Sequence, residues 1–323
     1  MTSTPTVSVI LTSYNCAPYI GQAIESILGQ TFGDFELLIS DDGSTDGSPE
    51  LIADYARKDA RIVAFFQPQN LGLVRNYNFL FGKAKGSLIV IQDADDWSDQ
   101  HRFEKQVSAM ANPDFVLCAT GHIFHYPSGK TVSTNQPSQV IDGLKTEFPS
   151  IPASTMFRAE MLRQYQGWQE YFAGGTPMDR YFLMDLLDGR QGFHIADALY
   201  HARIRSGSNC RVWNERMMTS YQLYLELAEQ RRKTGTDWLR EGKLTEMKRF
   251  EVAAGRDRRL RAQSMRDTAA INIDCANYGV AAKLLTKSLV LNPTSSLAWR
   301  SAFYLVRKIL RGPRSNRSAT PHL

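Results

Sequence analysis

The sequence predicts an α/β fold, a mainly parallel sheet with helices on both faces, followed by an all-helical C-terminal region. Three observations carry this reading. Apolar strands and amphipathic helices alternate through the first hundred residues, the strands are apolar almost without interruption, and strands disappear after about Arg211. Strand–helix alternation with continuously apolar strands implies parallel strands buried on both faces.

In chain order, Val7–Leu11 reads as a buried strand, and Ile20, Ala23, Ile24, Ile27 and Leu28 recur at helical spacing. Phe35–Ser40 is a second strand, ending in the turn cluster Asp41-Asp42-Gly43-Ser44-Thr45-Asp46-Gly47, with Pro49 in the first turn of the next helix. Arg61–Phe66 is a strand, Val74–Ala84 a helix and Leu88–Ile91 a strand. Further on, Phe115–Thr120 and Ile151–Phe157 read as strands, Met178–Leu187 as a helix and Phe193–Ile204 as a strand. The stretch Asn277–Pro293, NYGVAAKLLTKSLVLNP, has the pattern of half a helical hairpin.

Composition is that of a globular chain, with 43% hydrophobic and 22% charged residues. The net charge of +5 conceals a division: Met1–Cys210 holds 16 basic against 23 acidic side chains, whereas Arg211–Leu323 holds 22 against 10. This sets the expected domains at 1–210 and 211–323. A basic half suits nucleic acid or anionic lipid, but zinc-finger spacing and RNA-binding signatures are missing, so nucleic acid is not expected. The four cysteines form no Cys-x-x-Cys pair and read as reduced thiols. No signal-peptide pattern and no spanning apolar run is visible, which points to a cytoplasmic protein.

Two strands end in acid clusters. Asp46 and Ser48 are best read as turn and helix-start residues. Asp93-Ala94-Asp95-Asp96 is different, because at ~5 Å and an effective dielectric of ~20 each carboxylate pair costs on the order of 3 kcal/mol. A divalent cation removes that cost, and Mg²⁺ or Mn²⁺ held by one or two carboxylates completes its shell with substrate phosphates and water. Asp42 has a separate capacity. A carboxylate only accepts hydrogen bonds, and uracil offers an N3–H, although spacing alone does not assign that partner.

Four segments, VSVILTSYN (Val7–Asn15), ISDDGSTDGS (Ile39–Ser48), NLGLVRNYN (Asn70–Asn78) and KGSLIVIQDADDW (Lys85–Trp97), resemble the successive motifs of family 2 glycosyltransferases. The resemblance spans roughly residues 5–210. It implies a nucleotide-diphospho-sugar transferase fold of the GT-A type, with one mixed sheet in two merged halves. It also implies an inverting transfer with Mn²⁺ or Mg²⁺ as cofactor. By the same resemblance Thr12, Tyr14 and Asp42 contact uridine, Arg75 and Asp93 the nucleotide, and Asp93 and Asp95 the metal. Asp96 falls in the same element as a further contact. Asp179 corresponds to the catalytic base, with Met178 where many members carry Glu. Arg203 and Arg205 fall near a late motif of Arg and His, where Arg205 suits a diphosphate rather than a metal.

The mechanism follows from the chemistry. An acceptor hydroxyl needs a general base within reach, and the departing diphosphate gains charge that cations stabilise. Asp179 also suits the first turn of a helix through the helix dipole, a purely structural reading. The expected partners are a nucleotide-sugar donor, most simply a UDP-sugar, and a glycan or lipid-linked acceptor. Two alternatives stand beside this: a non-catalytic nucleotide-sugar-binding module, and a nucleotidyltransferase, which usually opens with a Gly-rich basic loop where this chain has Thr12-Ser13-Tyr14-Asn15.

Toward its end the basic region carries LAWRSAFYLVRKILR (Leu297–Arg311). At about 100° per residue, Arg300, Arg307, Lys308 and Arg311 cluster, and Trp299, Ala302, Phe303, Val306, Ile309 and Leu310 lie opposite. This is the pattern of an interfacial helix holding the protein on the inner face of a membrane. It is equally the pattern of a helix packed inward on its own protein.

Overall fold

The computed structural model of the chain describes residues 4–143, 148–165, 167–173, 177–205 and 212–311. The first half unfolds as β1 (Val7–Ser13), α1 (Ala17–Leu28), β2 (Phe35–Asp41), α2 (Ser48–Lys58), β3 (Ile62–Phe66), α3 (Leu73–Phe81) and β4 (Leu88–Asp93). Every residue of β1 and β2 is buried, which is why neither shows the alternation of a one-sided strand. The stripe Ile20, Ala23, Ile24 and Ile27 fixes the buried face of α1. It joins Val7, Val9, Leu11, Leu37, Ile39 and Val90 in one core.

A short strand β5 (Trp97–Ser98) leads to α4 (Arg102–Ala109), β6 (Phe115–His125), β7 (Thr131–Ser133) and β8 (Gln139–Asp142). The apolar stretch Ile151–Phe157 is only partly a strand. Pro152–Ser154 forms a 3₁₀ turn and β9 begins at Thr155 (Thr155–Arg158), since Pro152 has no N–H for a ladder. Then come α5 (Glu160–Tyr165), α6 (Met178–Leu187) and β10 (Gln191–Arg203).

The sheet runs β3-β2-β1-β4-β9-β6-β10-β5, with β7 on β6 and β8 on β10. The pairs β2–β3, β1–β2, β1–β4 and β6–β10 are parallel. Strand β9 runs antiparallel to both β4 and β6, so it merges two parallel halves into one mixed sheet. The chain leaves β1 toward β2 and β3, then returns to β4 on the other side. This order reversal puts a crevice beyond the carboxyl ends of β1 and β4, where open α/β sheets bind ligands.

The remaining helices are α7 (Glu215–Thr234), α8 (Leu244–Arg256), α9 (Arg258–Asp274), α10 (Tyr278–Leu291) and α11 (Ser296–Arg311). By contact density the chain forms two units. The first comprises Met1–His125, Thr131–Arg203 and Ser220–Met247, and the second Tyr126–Lys130, Ile204–Thr219 and Lys248–Leu323. The division is therefore not a single cut near residue 210, and most of α7 lies with the sheet. A buried ionic network holds it there. Arg231 donates to Asp185 at 2.7 Å, to Asp237 and to the Tyr181 hydroxyl at 2.8 Å, while Arg240 donates to Asp185 at 3.0 Å. Removing one partner from such a network leaves a buried charge uncompensated, at about 3–5 kcal/mol.

In the second unit, α9 and α10 form the helical hairpin expected around Asn277–Pro293, and α11 packs on them through Leu305 beside Ala269, Ile273, Ala281 and Leu285. Among the described residues, Cys16, Cys118 and Cys275 are buried and form no disulfide. Cys210 lies outside the described residues. No described helix is long and apolar enough to cross a membrane.

Candidate active site

Parallel register sets the site. Thr12 at the end of β1 pairs with Asp93 at the end of β4, and Ser13 pairs with Asp41 at the end of β2. Tyr14 then projects beyond the sheet, half exposed. Asn15 takes a left-handed φ of 50° and interlocks with the β2 turn: its N–H donates to Ser44 Oγ at 2.9 Å and its Oδ1 accepts from Thr45 N–H at 2.9 Å. Asp46 accepts from the Ala17 and Ser48 amides, and Ser48 Oγ accepts from Cys16 N–H. Both side chains thus serve the starts of α1 and α2, as their turn positions suggested.

The adjacent acids of the β2 turn differ in role. Asp41 accepts from the Ser44 amide at 2.9 Å and the Ser44 hydroxyl at 2.6 Å, which closes the turn. Asp42 is buried and accepts from the Leu71 and Gly72 amides at 2.8 and 3.1 Å, so it draws the segment before α3 over the strand ends. Gly43 makes this approach possible: its φ is +73°, and a Cβ there would meet the Gln69 carbonyl carbon at 2.9 Å. Arg75, on the first turn of α3, is exposed and pairs with Glu170 at 3.0 Å.

The β4 turn is pinned from both sides. From α3, Tyr77 donates its O–H to Asp93 Oδ1 at 3.0 Å. From β10, the Tyr200 hydroxyl accepts the Asp93 amide at 3.3 Å and donates to Asp96 Oδ2 at 2.9 Å. Arg203 gives its amide to Asp96 Oδ1 at 2.7 Å and its Nε–H to the Asp95 carbonyl at 3.0 Å. The Arg203 guanidinium lies over the rings of Tyr19 and Trp97 at 4.8 and 5.0 Å. Beneath them Arg102 is fully buried, donates only to neutral oxygens, and lies 4.9 Å from the Tyr200 ring centroid. Burial pulls its pKa down to about 10, so it remains a cation below the acids.

Burial, then the neighbouring Asp95, push Asp93 up to about 6. Burial, then Asp93 and Asp95, also raise Asp96 well above the carboxylate range. Such a turn resists full ionisation by itself, and this donor set fits a hard divalent cation. Asp96 has both carboxylate oxygens engaged, by Tyr200 and Arg203, and Asp93 has one engaged by Tyr77; Asp93 and Asp95 are the carboxylates that could hold an ion. Among the described residues no three His, Cys, Asp or Glu side chains form a ready ligand set. Two carboxylates are what Mg²⁺ takes when phosphate and water complete its shell.

Asp179 lies on the first turn of α6, where its Oδ1 accepts the Arg180 amide at 2.7 Å. Burial raises its pKa, and its charge reaches both Tyr77 and Asp93. The fold thus gathers Thr12, Asp93, Asp95, Asp96, Asp179 and Arg203 around the ends of β1 and β4. Arg75 and Asp42 stand beside them on the α3 side. Arg205 belongs to the second unit and is half-buried there. Sequence reasoning missed Tyr77, Tyr200 and Arg102. The first two sit in apolar runs that read as core, and Arg102 reads as an ordinary helical cation.

A family model described as glycosyl transferase family 2 matches residues 8–185, more than half of the chain. The chain belongs to this family. A Bacillus subtilis protein named as a glycosyltransferase, EpsE, is 30% identical over 207 residues, covering 63% of this chain and 74% of its own length. An uncharacterized glycosyltransferase of Haemophilus influenzae is 35% identical over 140 residues, 43% of this chain; the match spans 56% of that relative. Among solved structures, S. aureus TarS 1–349 in complex with UDP superposes with a TM-score of 0.59 at 16% identity, covering 98% of this chain and 93% of TarS 1–349. The mannosyltransferase PcManGT from Pyrobaculum calidifontis, in complex with GDP-Man and Mn²⁺, gives 0.55 at 16% identity, with coverages of 98% and 89%. At these identities the structural likeness speaks for the fold.

Proposed function

We propose that this chain transfers a sugar, with inversion, from a nucleotide-diphosphate donor to a hydroxyl of a glycan or lipid-linked acceptor. One observation carries the reading: Asp179 and the Asp93–Asp96 turn are brought together at the sheet's switch point, although they are far apart in sequence. The UDP and GDP-Man bound by the structural neighbours support a nucleotide sugar as donor. Uridine is favoured here because the buried carboxylate of Asp42, beside Thr12 and Tyr14, has the acceptor chemistry that uracil N3–H needs.

In this reading Thr12, Tyr14 and Asp42 hold the nucleoside, and Arg75 and Arg203 face the phosphates. Asp93 and Asp95 hold Mn²⁺ or Mg²⁺, which offsets charge developing on the departing diphosphate. Tyr77 holds the Asp93 carboxylate, and Tyr200 holds the turn through the Asp93 amide and the Asp96 carboxylate. Asp179 accepts the acceptor's proton as its oxygen attacks the anomeric carbon from the face opposite the leaving group. A screen of nucleotide sugars with Mn²⁺ tests this. One donor is expected to be hydrolysed slowly without acceptor, with loss of the activity in EDTA and in Asp95→Asn. Undiminished turnover in EDTA removes the metal from the reading.

Peripheral attachment to the cytoplasmic face of a membrane belongs to the same proposal. Ala298 and Leu305 of α11 are buried, so the helix already has an inward face. The stripe Trp299, Phe303, Val306 and Leu310 points elsewhere: Trp299 is 58%, Phe303 73% and Leu310 80% exposed. Arg300 and Arg307 flank it, exposed. Apolar side chains that remain outside after the helix has packed, bordered by cations, match an anionic lipid surface. Each basic residue near such a surface contributes about 1 kcal/mol.

A further inference from the structure

A cavity of about 550 Å³ opens in the sheet unit at the start of α6. Its walls include Arg180, His122, Gln136, Gln139, Phe124 and Phe148. Arg180 is next in the chain to Asp179 and its charge reaches that carboxylate, which ties the cavity to the residue assigned as base. The described residues lining it include no Asp or Glu. The Arg180 guanidinium donates no hydrogen bond to any described residue. Arg180 thus faces a cavity whose described walls carry no carboxylate, while its charge also acts on the neighbouring Asp179.

The other walls are neutral and suit a polyhydroxylated molecule. Ser150 donates its O–H to the Thr120 carbonyl at 2.5 Å, so at its 3.1 Å contact with His122 Nδ1 it is the acceptor. Burial, reinforced by His194, pushes His122 down to about 4, and the ring is neutral at physiological pH. With its one proton on Nδ1, its Nε2 accepts. Gln136 and Gln139 each offer an acceptor and two donors. Phe124 and Phe148 supply flat apolar faces of the kind that C–H faces of sugar rings cover.

We infer that this cavity holds the acceptor, and that the acceptor is a sugar or polyol bearing an anionic group, phosphate or carboxylate, set against Arg180. A guanidinium recognises either anion through paired N–H donors. The assignment rests on the reading of Asp179 as the base, since it makes the cavity the approach to that residue.

The test uses the full chain with UDP and Mn²⁺ present, so that the donor site is filled, and three matched probes: glucose 6-phosphate, glucuronate and glucose. Binding is read by ligand-observed NMR titration. The expected result is that one anionic probe binds about tenfold more tightly than glucose, the scale of one charge-assisted contact. Which anion wins identifies the group. Arg180→Gln should abolish the preference, and Arg180→Lys should restore part of it. Gln136→Ala, on an exposed segment, should weaken all three probes alike. Equal binding of the three probes to the wild type, or a preference that survives in Arg180→Gln, overturns the assignment, as does unchanged binding in Gln136→Ala. A wild type that fails to bind UDP overturns the donor reading instead, so the two failures are distinguishable.

Discussion

Tyr77 on α3 donates its phenolic O–H to Asp93 at the end of β4 across 3.0 Å, which ties the helix to the strand end that carries the acid turn. Its ring also packs on Trp168 at 4.1 Å, and Trp168 is held to α3 by reciprocal hydrogen bonds with Asn78, both 2.8 Å. Tyr77→Phe keeps the ring and loses the donor. A hydrogen bond to a charged group contributes about 1.5–3 kcal/mol, so kcat/KM for transfer should fall at least about tenfold and Tm should drop by several degrees. Steady-state kinetics equal to wild type would show that Asp93 needs no such support.

Asp179→Asn should lower transfer by roughly 10²–10⁴-fold while UDP still binds with Mn²⁺. The pH profile gives a second reading. The base acts deprotonated, and burial raises its pKa above the ordinary aspartate value. Activity should therefore be full at high pH and decline as pH falls through that raised value, above where an exposed aspartate titrates. A mutant that transfers sugar at the wild-type rate places the base elsewhere.

His122 predicts a pH dependence of stability. Its folded-state pKa is about 4, lowered chiefly by burial. Unfolded, it titrates near ~6.5. Between these values the unfolded chain binds more protons, so this contribution is intact above about 6.5 and shrinks as pH falls toward 4. The loss is on the order of 3 kcal/mol at most. His122→Gln should flatten the dependence in urea denaturation over that range; an unaltered slope would rule the residue out as its source.

For α11, the exposed stripe can be altered without touching the inward face. Phe303→Glu with Leu310→Glu should abolish flotation with liposomes rich in anionic lipid while leaving thermal unfolding near wild type. Raised salt should weaken wild-type flotation, because the basic contribution is screened. If the wild type does not float, or the double variant floats equally, the stripe has no lipid partner.

Much of this protein follows from the sequence alone, because its first half obeys local rules. Buried parallel strands must be apolar throughout, and amphipathic helices must repeat at their own period, so β1 to β4 and α1 to α3 were readable where they occur. The acid clusters were readable too, because several like charges at one strand end need an external reason. The strand assigned to Ile151–Phe157 shortened for an equally local cause, the missing N–H of Pro152.

Tertiary structure decided what no spacing encodes. Thr12 and Asp93 are partners only because the chain returns to β1 on its far side. Tyr200 and Arg203 lock the acid turn only because β10 crosses the sheet beside β6. The stretch Ser220–Met247 lies with the sheet because Arg231 finds Asp185 and Tyr181 of α6 in a buried site. On α11, helical periodicity gathered Trp299, Phe303, Val306 and Leu310 on one side but did not single out Ala298 and Leu305. Packing alone separated Ala298 and Leu305, which the neighbouring helices cover, from Trp299, Phe303, Val306 and Leu310, which they leave exposed. Local sequence fixes the period of a helix or strand; which of its faces meets which neighbour depends on contacts between residues far apart in the chain.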